Sequence, residues 1–191
     1  MHREIDIPKQ FYSAYTDRPF VHCIDCGVVL LESEDIYSII KDYVHSEVVF
    51  EMAICLGCAG RLRESYSRES LERINGALVT MFREAPSVPE GVDLLDVWEE
   101  GVSECLICQK SRSACRSYEV VTACTGSRML LVCEPQQAAR SPFMICDDCG
   151  RQLSELISKE TRDSWNRFVE EHYDGPPGIE SPEPHFEPIL F

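Results

Sequence analysis

Eight of the eleven cysteines in this 191-residue chain fall into four C-x-x-C pairs: Cys23/Cys26, Cys55/Cys58, Cys105/Cys108 and Cys146/Cys149. No other feature restricts the fold as much. Two residues between paired cysteines let both sulfurs reach one ion from a tight turn, and two such turns complete a tetrahedral shell with Zn–S distances of about 2.3 Å. The opening stretch MHREIDIPKQFYSAY carries Glu4 and Asp6 and no apolar centre, so neither a secretory signal nor a transit peptide is expected. Apolar stretches such as residues 27–31 fall far short of the roughly 20 residues that cross a bilayer. The expectation is a cytoplasmic protein without a membrane span. In a reducing compartment, paired C-x-x-C motifs are read as metal or redox sites before they are read as disulfides.

The pairs repeat as pairs. Cys26 and Cys55 are separated by 28 residues, Cys108 and Cys146 by 37. Sliding the chain by 91 places lays Ile54-Cys55-Leu56-Gly57-Cys58 on Ile145-Cys146-Asp147-Asp148-Cys149. The match continues without a gap through Leu62 on Leu153, Ser67-Arg68-Glu69-Ser70 on Ser158-Lys159-Glu160-Thr161, and Ile74 on Trp165. Apolar residues after each second pair recur at threes and fours, which predicts helix. Ser67 and Ser158 read as N-caps, each followed by a glutamate in the first turn. So each second C-x-x-C opens a short helix, and a second capped helix follows; Gly76 weakens the middle of the first of these.

Between the pairs, residues 28–31, 47–50, 118–123 and 128–132 are rich in β-formers, with Thr125-Gly126-Ser127 as a hairpin turn. Residues 35–45 carry Ile36, Ile39, Ile40 and Tyr43 at helical spacing and are expected as a helix. Each unit then reads as knuckle, β-hairpin and second knuckle at a helix N-terminus. That order resembles the treble-clef zinc-finger class. The resemblance implies an α+β fold of two tandem treble-clef-like units, with Cys23, Cys26, Cys55 and Cys58 holding one Zn2+ and Cys105, Cys108, Cys146 and Cys149 a second. The expected organisation is a first zinc unit with an N-terminal extension (1–84), an acidic linker (85–104), a second unit (105–174) and a Pro-rich acidic tail (175–191). Buried metal-free thiols and a rubredoxin-like iron site, suggested by Gly27 and Gly150, are the alternatives for the eight cysteines. Cys115, Cys124 and Cys133 have no counterpart in the first unit and read as small buried apolar residues.

Catalysis finds little support. The histidines at 2, 22, 45, 172 and 185 form no H-E-x-x-H, and a closed shell of four cysteines lacks the water position of a catalytic zinc. No catalytic residue is assigned; His22, beside a knuckle, reads as a neighbour of the site. Thiol oxidoreductase chemistry expects one C-x-x-C in a βαβ context, not four in symmetric pairs. The formal net charge is −15; residues 84–104 hold seven acids and 175–191 three, with no base in either. That balance opposes nucleic acid, whose phosphates are neutralised by Lys and Arg. The expected function is protein–protein interaction by a zinc-stabilised, non-enzymatic chain. The alternative is nucleic-acid binding through the basic loop of Lys110, Arg112 and Arg116. Residues 92–98, apolar among acids, are expected to dock as a short linker segment. The tail, with five prolines from Pro176 to Pro188, cannot form a regular helix and is expected to pack back or to serve as a peptide ligand.

Overall fold

The computed structural model describes residues 3–83, 94–131 and 141–173, without the side chains of 78–83 and 94–97. Cys133, residues 85–93 and the tail lie outside the described residues. Among the described residues, no helix is long and apolar enough to cross a membrane.

Six strands, β1 (Arg3–Asp6), β2 (Tyr37–Val44), β3 (Glu47–Cys55), β4 (Ser117–Thr125), β5 (Arg128–Leu131) and β6 (Phe143–Cys146), form one sheet. Its order is β1-β5-β4-β2-β3, with β6 also on β4, and every pair is antiparallel. β2 pairs with β4 along its whole length, from Tyr37 opposite Cys124 to Val44 opposite Ser117. The other edge of β4 is divided: Ala123–Thr125 pairs with β5 and Tyr118–Val121 with β6. Strands from both cysteine units therefore meet at the centre of one shared sheet.

The expected helix over residues 35–45 is wrong. Tyr37–Val44 within that stretch form β2, with Tyr37, Ile39 and Ile40 only 1–3% exposed. A central strand is covered on both faces, so the period-two alternation that would identify it is erased; its remaining apolar positions happen to mimic helical spacing. The turn into β3 passes through His45 at φ 58°. The strand expected over residues 28–31 is also absent. Val29 makes a single bridge with His22, and the neighbouring backbone is spent closing the knuckle, Cys23 N–H donating to Val28 O and Leu30 N–H to Val21 O.

The helices follow the repeat. α1 (Leu56–Glu64) and α2 (Arg68–Arg83) belong to the first unit, α4 (Asp147–Ser154) and α5 (Lys159–His172) to the second. α2 continues through Gly76. Ser67 Oγ accepts from Ser70 N–H and Ser158 Oγ from Thr161 N–H, both at 3.2 Å. The two caps also exchange bonds reciprocally: Ser67 N–H donates to Thr161 Oγ1 at 3.0 Å and Ser158 N–H to Ser70 Oγ at 2.8 Å. Ser70 and Thr161 are fully buried there. Positions 91 apart thus face each other about a local pseudo-two-fold axis.

α3 (Leu94–Gly101) docks as expected of the linker segment, placing buried Trp98 edge-on to Phe11 at 6.2 Å. It ends where a Cβ on Gly101 would collide with Pro142 O, so glycine permits the approach. On one face of the sheet lies the N-terminal arm, tied down by Lys41. Its ammonium, 3% exposed, donates to Gln10 O at 3.1 Å and Tyr12 O at 2.5 Å and pairs with Glu51 at 3.2 Å. Glu51 in turn accepts from Ser13 Oγ and Ala14 N–H. On the other face, Phe50 meets Tyr173, which follows α5, at 5.6 Å between rings. One apolar cluster runs through both units, from Phe11 and Ile54 to Met144 and Trp165. Neither unit keeps a core to itself; the two pool theirs.

Candidate metal centres

The two knuckles match hydrogen bond for hydrogen bond. Gly27 N–H returns to Cys23 O at 3.0 Å and Gln109 N–H to Cys105 O at 2.9 Å; Cys23 N–H bonds Val28 O and Cys105 N–H bonds Lys110 O. Each turn needs a left-handed residue at this point, supplied by Gly27 at φ 70° and Gln109 at φ 59°. Each knuckle is then clipped to the strand that carries the second pair, through Ile24 N–H to Ala53 O and Leu106 N–H to Met144 O. Cys55 ends β3 as the N-cap of α1, and Cys146 ends β6 as the N-cap of α4. Their amides donate to Cys23 Sγ and Cys105 Sγ, both at 3.4 Å.

This construction gathers Cys23, Cys26, Cys55 and Cys58 into one group and Cys105, Cys108, Cys146 and Cys149 into another, the sulfurs of each within 4.8 Å of one another. A tetrahedral ion with metal–sulfur bonds of about 2.3 Å sets its sulfurs about 3.8 Å apart. Cys26 and Cys55 stand at 3.8 Å, Cys55 and Cys58 at 3.3 Å, and Cys108 and Cys146 at 3.6 Å. These are ligand separations, well beyond the roughly 2.05 Å of a disulfide, and all eight thiols are free. Cys26 and Cys108 are exposed; Cys23, Cys58, Cys105, Cys146 and Cys149 are buried.

Thiol ionisation shows why a cation fits. Burial works to raise Cys23, but the amides of Cys55, Cys26 and Asp25 outweigh it and bring the thiol down to about 7. Cys105 is lowered in the same way by backbone amides of residues 108, 146 and 107. Their neighbours move the other way. Burial and nearby thiols push Cys146 up to about 11, and burial raises Cys58 and Cys149 further, aided by Asp25 at Cys58 and Cys108 at Cys149. Cys23 and Cys105 are thus poised to ionise, whereas Cys58, Cys146 and Cys149 need a positive charge beside them, which a bound divalent ion would supply.

The surroundings of the two groups differ. Val28 and Leu56, 45% and 56% exposed, border the first with Val21 and Ile36 at 42% and 40%. The matched positions of the second are charged: Lys110 stands for Val28, Asp147 for Leu56 and Asp148 for Gly57. Lys110 Nζ lies 3.0 Å from Asp148 Oδ2, and Arg151 pairs with the same carboxylate. Beside the first group, Arg61 Nη2 donates to Cys58 Sγ at 2.8 Å and to Asp25 Oδ2 at 2.9 Å. Asp25 Oδ1 is 3.2 Å from His172 Nε2 on α5. Sequence reasoning missed this chain because His172 and Asp25 are 147 residues apart; its one local sign is an arginine three places after Cys58 on a helix.

His22 belongs to neither group. Cys115 and Cys124 are buried, Cys115 donating to Ser111 O and Cys124 lying at 0% exposure in the sheet. Comparison with family models, with curated proteins and with solved structures returned no match for this chain.

Proposed function

We propose that this chain is a zinc-stabilised protein-interaction module, built from two treble-clef-like units fused through one sheet and working in a reducing, cytoplasmic setting. The donor chemistry supports zinc: four sulfurs within 4.8 Å of one another in each group, with amide donors on Cys23 and Cys105. When bound, each ion supplies the charge that keeps four thiolates together. A shell of four thiolates offers no open position for a substrate or water, so the role is structural and the chain is not an enzyme.

The observation that carries the reading is the apolar border of the first centre. Val21, Val28, Ile36 and Leu56 are each at least 40% exposed. Backbone bonds fix Val21 and Val28 on the Cys23 knuckle, through Leu30 to Val21 and Cys23 to Val28, and tie Leu56, next to Cys55, to Ile36. Clustered exposed apolar side chains mark interaction sites. With a net charge of −15, the matching partner is a protein presenting apolar side chains flanked by basic ones.

The basic loop is a weaker nucleic-acid candidate than its sequence suggests, because Lys110 is held by Asp148, which leaves the loop two arginines, Arg112 and Arg116, to face a phosphate. Elemental analysis is expected to find two zinc ions per chain; two irons, or no metal, overturns the cofactor. For the partner, in-cell crosslinking is expected to trap a protein that Leu56→Glu loses and Arg112→Ala keeps. Salt-sensitive RNA or DNA binding that disappears in Arg112→Ala/Arg116→Ala selects the nucleic-acid reading.

A further inference from the structure

The two centres share one scaffold and differ in what touches their sulfurs. At the first, a guanidinium donates to Cys58 Sγ at 2.8 Å and is itself oriented by Asp25, which His172 braces from α5. His172 is fixed in turn by Nδ1, 2.8 Å from Phe168 O. At the second centre the position matched to Arg61 is Gln152 and that matched to Asp25 is Ile107. Asp147 and Asp148 open α4 there, and the nearby cations, Lys110 and Arg151, are committed to Asp148.

Four thiolates on a divalent ion carry a net charge of about −2. A cationic donor on one sulfur offsets that charge and makes the sulfur a poorer target for protons and electrophiles. A carboxylate beside the sulfurs does the opposite, and each centre has one, Asp25 at Cys58 and Asp148 next to Cys149, so the difference lies in the cation that touches a sulfur.

We infer that the Cys105 centre is the exchangeable metal site of this protein, yielding its ion to a competing chelator while the Cys23 centre, clamped by Arg61, retains its own. This rests on both centres holding zinc. Arg61 is a positioning residue: it contacts a ligand sulfur and not the metal, and Asp25 and His172 act through it. Each centre has one exposed thiol, Cys26 and Cys108, so access is alike at both and the clamp on Cys58 sets the difference.

The test is pulsed alkylation of the zinc-loaded protein with iodoacetamide during challenge with EDTA, each cysteine peptide being followed by mass spectrometry. Labelling of Cys105, Cys108, Cys146 and Cys149 is expected to run about 10- to 100-fold ahead of Cys23, Cys26, Cys55 and Cys58, the range typical when outer-sphere partners of a metal ligand are lost. Arg61→Met is expected to speed the first group until the two sets converge, and Arg61→Lys to restore part of the gap, at unchanged far-ultraviolet circular dichroism in excess zinc. Should Arg61→Met fold poorly, Asp25→Asn tests the same brace, and the order in the unaltered protein decides by itself. Equal rates, or the Cys23 group labelling first, overturn the inference. Full labelling before any EDTA is added, in protein that contains no zinc, overturns the metal reading instead.

Discussion

The knuckle at Cys23 and the knuckle at Cys105 use the same backbone hydrogen bonds, yet one is bordered by Val28 and Leu56 and the other by Lys110, Asp147 and Asp148. The comparison separates what a cysteine-built centre requires from what it leaves free. Required are the turn, a residue that tolerates left-handed backbone, the clip to a strand and two thiols at a helix start. Everything facing outward is open to change, and that is where one half became apolar and the other charged.

The harshest way to break the comparison is to strip both centres of the zinc proposed for them. Structural zinc is worth about 10–16 kcal/mol per site in small modules, beyond the usual margin of about 5–15 kcal/mol for a whole domain. Exhaustive chelation is expected to abolish the cooperative thermal transition seen by calorimetry. Because the core is pooled, losing one centre is less damaging: Cys149→Ser is expected to keep one zinc and a folded sheet, and Cys58→Ser to lower the melting temperature further than Cys149→Ser does.

Next in size is the Lys41–Glu51 pair, which has no counterpart in the second unit, where the strand position matched to Lys41 is Thr122. Removing one partner of a buried pair costs about 3–5 kcal/mol, so Glu51→Gln is expected to lower denaturant stability by about that amount at neutral pH. Burial works to raise the Glu51 carboxyl, but the Ala14 amide, the Ser13 hydroxyl and Lys41 together hold it below its usual 4.5. A depressed carboxyl contributes fully above its unfolded value and loses the contribution as pH falls through the folded one. The gap between the native protein and Glu51→Gln should therefore narrow below about pH 4.5.

The cap exchange sharpens the symmetry. Ser70→Ala and Thr161→Val each remove a buried acceptor for the other unit's cap amide, with an expected loss of about 1–2 kcal/mol. A double-mutant cycle is expected to show coupling, since both side chains sit in one network. Smallest is the left-handed residue of each knuckle. Gly27→Ala should cost about 1 kcal/mol or more, whereas Gln109→Gly should leave stability level or raise it by less than about 1 kcal/mol; chemical denaturation of both measures the contrast.

The cysteine spacing, the 91-place match and the Ser67 and Ser158 caps were legible because each is a local pattern. The shared sheet was not. β2 is buried on both faces and carries no alternation, β1 and β6 are only four residues long, and a pairing such as Tyr43 with Tyr118, stacked at 4.9 Å, leaves no mark on either segment alone. Lys41 was invisible for a related reason: a lysine reads as surface until the distant carbonyls of Gln10 and Tyr12 and the Glu51 carboxylate surround it.

The seam between β2 and β4 has a consequence for any attempt to divide the molecule. Either half on its own would present a bare strand edge eight or nine residues long, next to capping hydroxyls whose amide donors had left with the other half. Backbone edges of that kind seek another strand, and an interface related by a two-fold axis is self-complementary. A severed half would thus find its best substitute neighbour in a second copy of itself.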